Sequence, residues 1–298
     1  MVKTVRFLIT GAGGQLGRAI TYQLKEQGIK NILALAHHQL DIYDRPAVFR
    51  VIEDFNPDVV INAAAYTNVD LAESFADLAY NANVEGVRNL SEATQKTDSI
   101  FFHISTDYVF SGKVKNDYLY NELDPVDPLS IYGKTKYEGE RVALAINPKT
   151  IIVRTAWAFG ECGNNFVKTI VKLAKEKSEL HIVGDQIGGP TYTGDIASAL
   201  INMSEQILLG KEAVFGIYHF TGQPYVSWYE FANAILVEAE KQKVIERLPL
   251  VNKISSSDYV TPVRRPMNSC LDLTKIKRVF NIEPSNWQKA LKNIKVYL

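Results

Sequence analysis

Along the first half of the chain, short runs of aliphatic and β-branched residues alternate with stretches whose apolar positions recur at helical spacing. The runs Val5 to Thr10, Ile32 to Ala36, Val59 to Ala63, Ile100 to Ser105 and Ile151 to Thr155 predict strands. Between them, Gln15 to Gln27, Ala47 to Phe55, Val84 to Lys96 and Ile131 to Ala145 predict helices. Strands that are apolar throughout and separated by helices need cover on both faces, which predicts an α/β fold with an open, doubly wound parallel sheet.

After about residue 156 the rhythm loosens. Asn165 to Lys177 predicts a helix with Phe166, Ile170, Leu173 and Ala174 on its apolar side, Asp195 is expected to cap a helix running to Leu208, and Ser227 to begin another. The stretch Leu248 to Arg265, with Ser255, Ser256, Ser257, Asp258 and Pro262, reads as an extended surface segment or rim loop. No repeat or flexible linker intervenes. The second half is therefore expected to pack directly on the first, walling a cleft at the carboxyl ends of the strands.

Charge narrows the partners. The 298 residues carry 33 Lys+Arg against 33 Asp+Glu, so no long-range field attracts a nucleic acid or an anionic membrane, and neither is an expected partner. Cys162 and Cys270 are too few for a disulfide framework and lack the spacing of a zinc site; they fit a reducing, cytoplasmic compartment. The apolar run Val59 to Ala65 is broken by Asn62 and is far short of the roughly 20 residues that span a bilayer. The N-terminus, with Arg6 among its first apolar residues, reads as the start of folded protein, not a signal peptide.

Three groups of residues carry chemistry. The first is Gly11-Ala12-Gly13-Gly14-Gln15-Leu16-Gly17, between the first strand and the first helix. Such a turn brings backbone amides and a helix N-terminus to a pyrophosphate; its other reading is a tight turn without ligand. The end of the second strand, Ala34 to His38, has no acid before Asp41 to hold an adenine ribose, and Arg18 is placed to meet a 2′-phosphate. NADPH is the expected cofactor, with NADH as a second. The second group is Tyr132 and Lys136, one helical turn apart, after a strand ending in Ser105-Thr106-Asp107-Tyr108. A lysine charge favours a phenolate, and a threonine hydroxyl can fix the substrate oxygen. An ordinary amphipathic Tyr/Lys pair is the alternative.

Together these residues resemble the extended, nucleotide-sugar-modifying short-chain dehydrogenase/reductases. The third group is six ordered strings: Asn62 to Asp70, Ser105 to Gly112, Arg154 to Trp157, Gly163 to Phe166, Asp185-Gln186 with Gly189 to Thr191, and Arg265 to Ser269. They closely resemble the dTDP-4-dehydrorhamnose reductase family over nearly the whole chain. The resemblance implies a Rossmann-type doubly wound parallel sheet with a smaller C-terminal α/β substrate-binding lobe. Residues 1–156 would bind the dinucleotide and 157–298 mainly the substrate, with some segments returning to the first part. It implies Thr106, Tyr132 and Lys136 as catalytic residues. Gly11, Gly14, Gln15, Leu16, Gly17, Arg18, Asp41, Ile42, Ala63, Ala64, Ala65, Tyr132 and Lys136 would contact cofactor, and Thr67, Val69, Asp70, Thr106, Tyr108, Trp157, Asn165 and Arg265 a dTDP-sugar. Trp157 and Tyr108 also read as packing residues, and Asp70 and Asn165 as caps.

The implied activity is NAD(P)H-dependent reduction of the C4 keto group of dTDP-4-dehydro-L-rhamnose, for polysaccharide biosynthesis. Thr106 is followed by Asp107-Tyr108 and not by the Asp-Glu expected of a related dehydratase, which favours simple reduction. Arg18-Ala19-Ile20 supplies no acid for the magnesium-bridged dimer of some relatives, so no metal is expected, and a monomer or weak homodimer is. An epimerase or reductase of another keto-sugar, and a non-catalytic regulatory subunit, are the alternatives.

Overall fold

The apolar runs pair side by side in the computed structural model, which describes residues 5–114, 117–211, 215–259 and 261–297. The elements run β1 (Phe7–Thr10), α1 (Gln15–Glu26), β2 (Ile32–Leu35), α2 (Arg45–Phe55), β3 (Val59–Asn62), α3 (Val69–Ala72), α4 (Ala76–Tyr80), α5 (Gly86–Lys96) and β4 (Ile100–Thr106). Then follow α6 (Ile131–Ile146), β5 (Thr150–Thr155), β6 (Ala158–Phe159), α7 (Phe166–Glu176), β7 (Glu179–Val183), β8 (Ile187–Gly188), β9 (Thr191–Tyr192) and α8 (Thr193–Leu208). Next come β10 (Gly216–His219), β11 (Val226–Ser227), α9 (Trp228–Lys241), β12 (Leu250–Ile254), β13 (Asn268–Ser269), α10 (Thr274–Phe280) and α11 (Trp287–Leu291). Met1 to Thr4, expected to begin the folded chain, lie outside the described residues.

Six strands form the main sheet in the order β10-β5-β4-β3-β1-β2, every neighbouring pair parallel. Winding reverses at β1, with β2 on one side and β3 on the other, which opens a crevice beyond their carboxyl ends. Alternate residues explain the apolar runs. Ile9, Ile61, Phe102 and Val153 join the core under α1 and α8, and Leu8, Val60, Phe101 and Ile152 the core under α2, α5 and α6. A separate core of Phe159, Val167, Ile170, Phe231, Ile235 and Trp287 holds the second lobe together.

Three expectations are corrected. Leu248 to Arg265 is not all loop: β12 pairs in parallel with β7 from Leu250↔Glu179 to Ile254↔Val183, hidden in the sequence because its positions are exposed or half-buried. Asp195 is not a cap. Tyr192 stands at that position, and Asp195, in the first turn of α8, accepts from Ser285 Oγ at 2.7 Å and from the Asn286 N–H at 3.2 Å. The helix expected from Val84 begins upstream, as α4 passes through a π-helical turn, Asn81–Glu85, into α5. Ser227 does cap α9, in a reciprocal capping box with Glu230. Segments from beyond residue 157 return to the main sheet, β10 beside β5 and α8 against α1. Among the described residues no helix is long and apolar enough to cross a membrane.

Candidate active site

The glycine turn sits in the crevice between β1 and β3. Gly11 has φ +70°, and a Cβ there would stand 2.5 Å from the Ala64 nitrogen, so only glycine lets the turn close on the Ala63-Ala64-Ala65 segment. A Cβ on Gly17 would lie 2.3 Å from the Gly11 carbonyl oxygen, so Gly17 lets α1 begin directly against the turn. Gly14 is the helix N-cap with no side-chain cap, and the first turn, with Gln15 and Leu16, carries no acid. The opening amides of α1 are thus free for an anion, which fits a dinucleotide pyrophosphate.

Gly13 lies against Ala36, just past β2, and Arg18 Nε donates to the Gly13 carbonyl at 3.0 Å. Arg18 therefore stands where the second strand meets the turn. Asp41 is exposed and accepts from the Tyr43 N–H at 3.0 Å. Ile42 is buried against Gly86 and acts as core.

Thr106 ends β4, and Tyr132 and Lys136 lie on α6. Ser130 caps α6 by accepting from the Gly133 N–H at 3.0 Å, and Gly133 lets the helix touch the Tyr108 carbonyl, where a Cβ would stand at 2.3 Å. That contact brings the phenol to the strand end. Tyr108 meets the Tyr132 ring edge-on at 5.7 Å. Burial pushes the Tyr132 phenol up to about 12, opposed by the nearby Thr106 hydroxyl and aided by Asp107. Burial pulls Lys136 down to about 8 against the influence of Glu140. The sequence expectation of a lysine holding the tyrosine towards phenolate meets a different balance here: Lys136 Nζ donates to the Ile104 carbonyl at 2.6 Å, and burial dominates both groups. Such a tyrosine is suited to hold a proton until an acceptor of rising basicity arrives.

The expected sugar residues gather unevenly. Thr67 is exposed in the loop after β3, Val69 opens α3, and Asp70 follows it. Asp70 Oδ2 pairs with Arg265 Nη2 at 3.3 Å, and both face Tyr108. Asp70 Oδ1 and Arg265 Nε are buried without a partner among the described residues, which leaves each able to take a polar partner. Trp157, at φ +47°, stacks on Trp228 with centroids 3.5 Å apart and lies over Gly188, where any Cβ would strike its ring. Asn165, expected near the sugar, sits at the start of α7. Its side chain caps α7 through the Lys168 N–H and donates to Gln15 Oε1 at 3.0 Å and to the Gly160 carbonyl at 2.7 Å, tying the glycine turn to the second lobe.

A cavity of about 1330 Å³ extends from Arg265 between α7, β7 and the segment after β12, lined by Phe166, Leu173, Trp228, Tyr259 and Arg264 among others. The Asp185-Gln186 string holds its rim: Asp185 accepts from the Ser256 N–H and hydroxyl, and Gln186 donates to that hydroxyl at 2.9 Å. Sequence reasoning missed Arg264, Trp228, Tyr259 and Asp107. Asp107 had a signal, as an acid beside the strand-end threonine; burial pushes it up to about 6 against the Ser269 and Thr106 hydroxyls.

The family described as RmlD substrate binding domain matches residues 5–296. A dTDP-4-dehydrorhamnose reductase of Aggregatibacter actinomycetemcomitans is 56% identical over 98% of this chain and 99% of its own. The structure of a dTDP-4-dehydrorhamnose reductase from Bacillus anthracis in complex with NADP superposes with a TM-score of 0.89 at 33% identity, covering 99% of this chain and 100% of that one. A Thermotoga maritima UDP-glucose 4-epimerase shares the fold, with a TM-score of 0.80 at 19% identity over 98% of each chain. The chain belongs to the dTDP-4-dehydrorhamnose reductase family.

Proposed function

We propose that this protein uses NADPH to reduce the C4 keto group of dTDP-4-dehydro-L-rhamnose, giving dTDP-L-rhamnose for polysaccharide biosynthesis. The observation that carries the reading is the meeting of Thr106, Tyr108, Tyr132 and the Asp70–Arg265 pair, with Arg265 also lining a cavity of aromatic and basic side chains. The 56% identical reductase and the NADP complex of the Bacillus anthracis relative support it.

Gly11, Gly14, Gly17 and the first amides of α1 would hold the pyrophosphate, the Ala63-Ala64-Ala65 segment would flank it, and Arg18 would meet the 2′-phosphate. When bound, the nicotinamide supplies a hydride. No acid stands at the end of β2 to favour the unphosphorylated ribose of NADH, which is the second cofactor of this reading. Thr106 orients the keto oxygen. Tyr132, held protonated by burial, gives its proton to that oxygen as negative charge builds on it, and Lys136 as ammonium steadies the phenolate.

Arg264, Arg265 and Lys177 suit a diphosphate, and Phe166, Trp228 and Tyr259 suit a thymine ring. Thr67, Val69, Asp70, Tyr108 and Trp157 would surround the sugar, while Asn165 acts through Gln15. Residues 1–156 with α8 and β10 would form the cofactor side, and the rest of 157–298 the sugar side. A monomer or weak homodimer in the cytoplasm completes the reading, in keeping with two free cysteines.

The test is NADPH consumption with keto-sugar made by a dTDP-glucose 4,6-dehydratase and a 3,5-epimerase. Turnover that needs the epimerase is expected. Turnover without it moves the substrate to the unepimerised keto-sugar, and NADPH binding without turnover favours a regulatory role. Tyr132→Phe is expected to lose about 10²- to 10⁴-fold in kcat while still binding NADPH; near-full turnover refutes the role of the phenol.

A further inference from the structure

Behind Tyr132 and Lys136 lies a row of buried polar side chains that the mechanism above does not use. Thr10, Asn62 and His103 occupy directly paired positions on β1, β3 and β4, so their side chains share one level across the sheet. All three are fully buried. The Thr10 hydroxyl donates to Asn62 Oδ1 at 2.7 Å, and the Ala64 N–H donates to the same oxygen at 3.0 Å. Asn62 Nδ2 meets His103 Nδ1 at 3.0 Å. On the other side of the ring, His103 Nε2 stands 3.3 Å from Lys136 Nζ.

Hydrogen-bond accounting locates the imidazole proton. Asn62 Oδ1 already takes two donors, and turning the amide over would set its NH2 against the Ala64 N–H, donor against donor. Its Nδ2 can only donate, so His103 Nδ1 accepts. Burial, and secondarily the neighbouring Lys136, hold His103 neutral, so its single proton sits on Nε2 and points at Lys136. An ammonium has three donors and no acceptor, so a cationic Lys136 confronts an N–H at this contact, whereas the neutral amine accepts it.

We propose that His103 is a positioning residue that sets the proton affinity of Lys136, its Nε2–H, aligned by Asn62 and Thr10, favouring the amine and so placing the alkaline limit of catalysis. The proposal rests on the roles given above to Tyr132 and Lys136. The titratable and charged groups around Lys136 are few. Tyr132 and Glu140 share its helix, His103 faces it from β4, Asp107 faces Tyr132 from just beyond β4, and Arg154 on β5 is held by Glu140. In turnover Tyr132 passes one proton to the substrate oxygen, the Lys136 ammonium supports the phenolate, and one proton from solvent restores the phenol. Once Lys136 sheds its proton, that support is gone.

The experiment is the pH profile of kcat for the wild type and His103→Gln, whose carbonyl oxygen offers Lys136 an acceptor in place of an opposing N–H. The alkaline midpoint is expected to rise by about one pH unit, a roughly tenfold shift in the lysine's proton affinity. A fall in rate at every pH with the midpoint unmoved makes His103 a packing residue only and overturns the proposal. Nitrogen-15 NMR of the wild-type imidazole needs no variant to fold: a proton on Nε2 with Nδ1 bare is expected, and a proton on Nδ1 overturns the tautomer. A wild-type profile with no alkaline limb refutes the role of Lys136 itself, and the nitrogen signals separate that failure from one at His103.

Discussion

Arg154→Met tests how the catalytic helix is held to the sheet. Arg154 on β5 grips Glu140 on α6 through two hydrogen bonds, Nε to Oε1 at 2.9 Å and Nη2 to Oε2 at 2.7 Å, with both side chains 1% exposed. Ser105 gives the carboxylate a further donor. Two fully desolvated charges gain little over an apolar pair of the same volume, but removing one strands the other in low dielectric, which costs about 3–5 kcal/mol. Unfolding entropy near 2.1 cal/mol/K per residue gives about 0.6 kcal/mol/K over this chain of 298 residues. Arg154→Met is therefore expected to lower Tm by roughly 5–8 °C. The double variant Glu140→Met with Arg154→Met, having no stranded charge, is expected to recover most of that loss. Thermal melts followed by circular dichroism decide it. A single-variant loss below about 2 °C, or a double variant as unstable as the single, refutes the reasoning.

Two more perturbations follow from the same geometry. Gly17→Ala drives a Cβ to 2.3 Å from the Gly11 carbonyl oxygen, backbone that cannot step aside, and the 1–3 kcal/mol typical of overpacking corresponds to roughly 5- to 150-fold weaker NADPH binding, read by fluorescence titration; an unchanged Kd would mean the turn does not hold the cofactor. Asp107 has a folded pKa of about 6, above its ordinary 3.8, so the folded state binds the extra proton between those values and stability falls as pH rises through that window. Asp107→Asn is expected to flatten that slope and gain up to about 3 kcal/mol at neutral pH, as melts at acid and neutral pH would show; an unaltered slope removes Asp107 as its source.

The sheet was legible because its physics is local. The strands β1, β3, β4 and β5 are buried on both faces, so each reads as a continuous apolar run, and the glycine turn and the Tyr132/Lys136 spacing need only neighbours in sequence. The β7–β12 ladder was not legible, since it joins residues about 70 apart through a half-exposed strand with no alternation. Asn165 shows another limit: its position after a glycine loop and before an apolar helix fits a cap or a ligand contact equally, and its tertiary contact with Gln15, 150 residues away, leaves no mark in the sequence. The Thr10, Asn62 and His103 row left a faint trace, a polar residue closing each of two apolar strands and a histidine in the middle of a third, yet nothing in the sequence says that they stand side by side.

The central claim is hydride delivery to C4 of a dTDP-keto-sugar within this one site. NADPH carrying deuterium at the transferable position, supplied with the coupled dehydratase and epimerase, tests it directly by mass and proton NMR of the sugar product. The account predicts one deuterium at C4 of dTDP-L-rhamnose for each NADPH oxidised. Deuterium at another carbon, or a changed sugar with no net oxidation of NADPH, would contradict it.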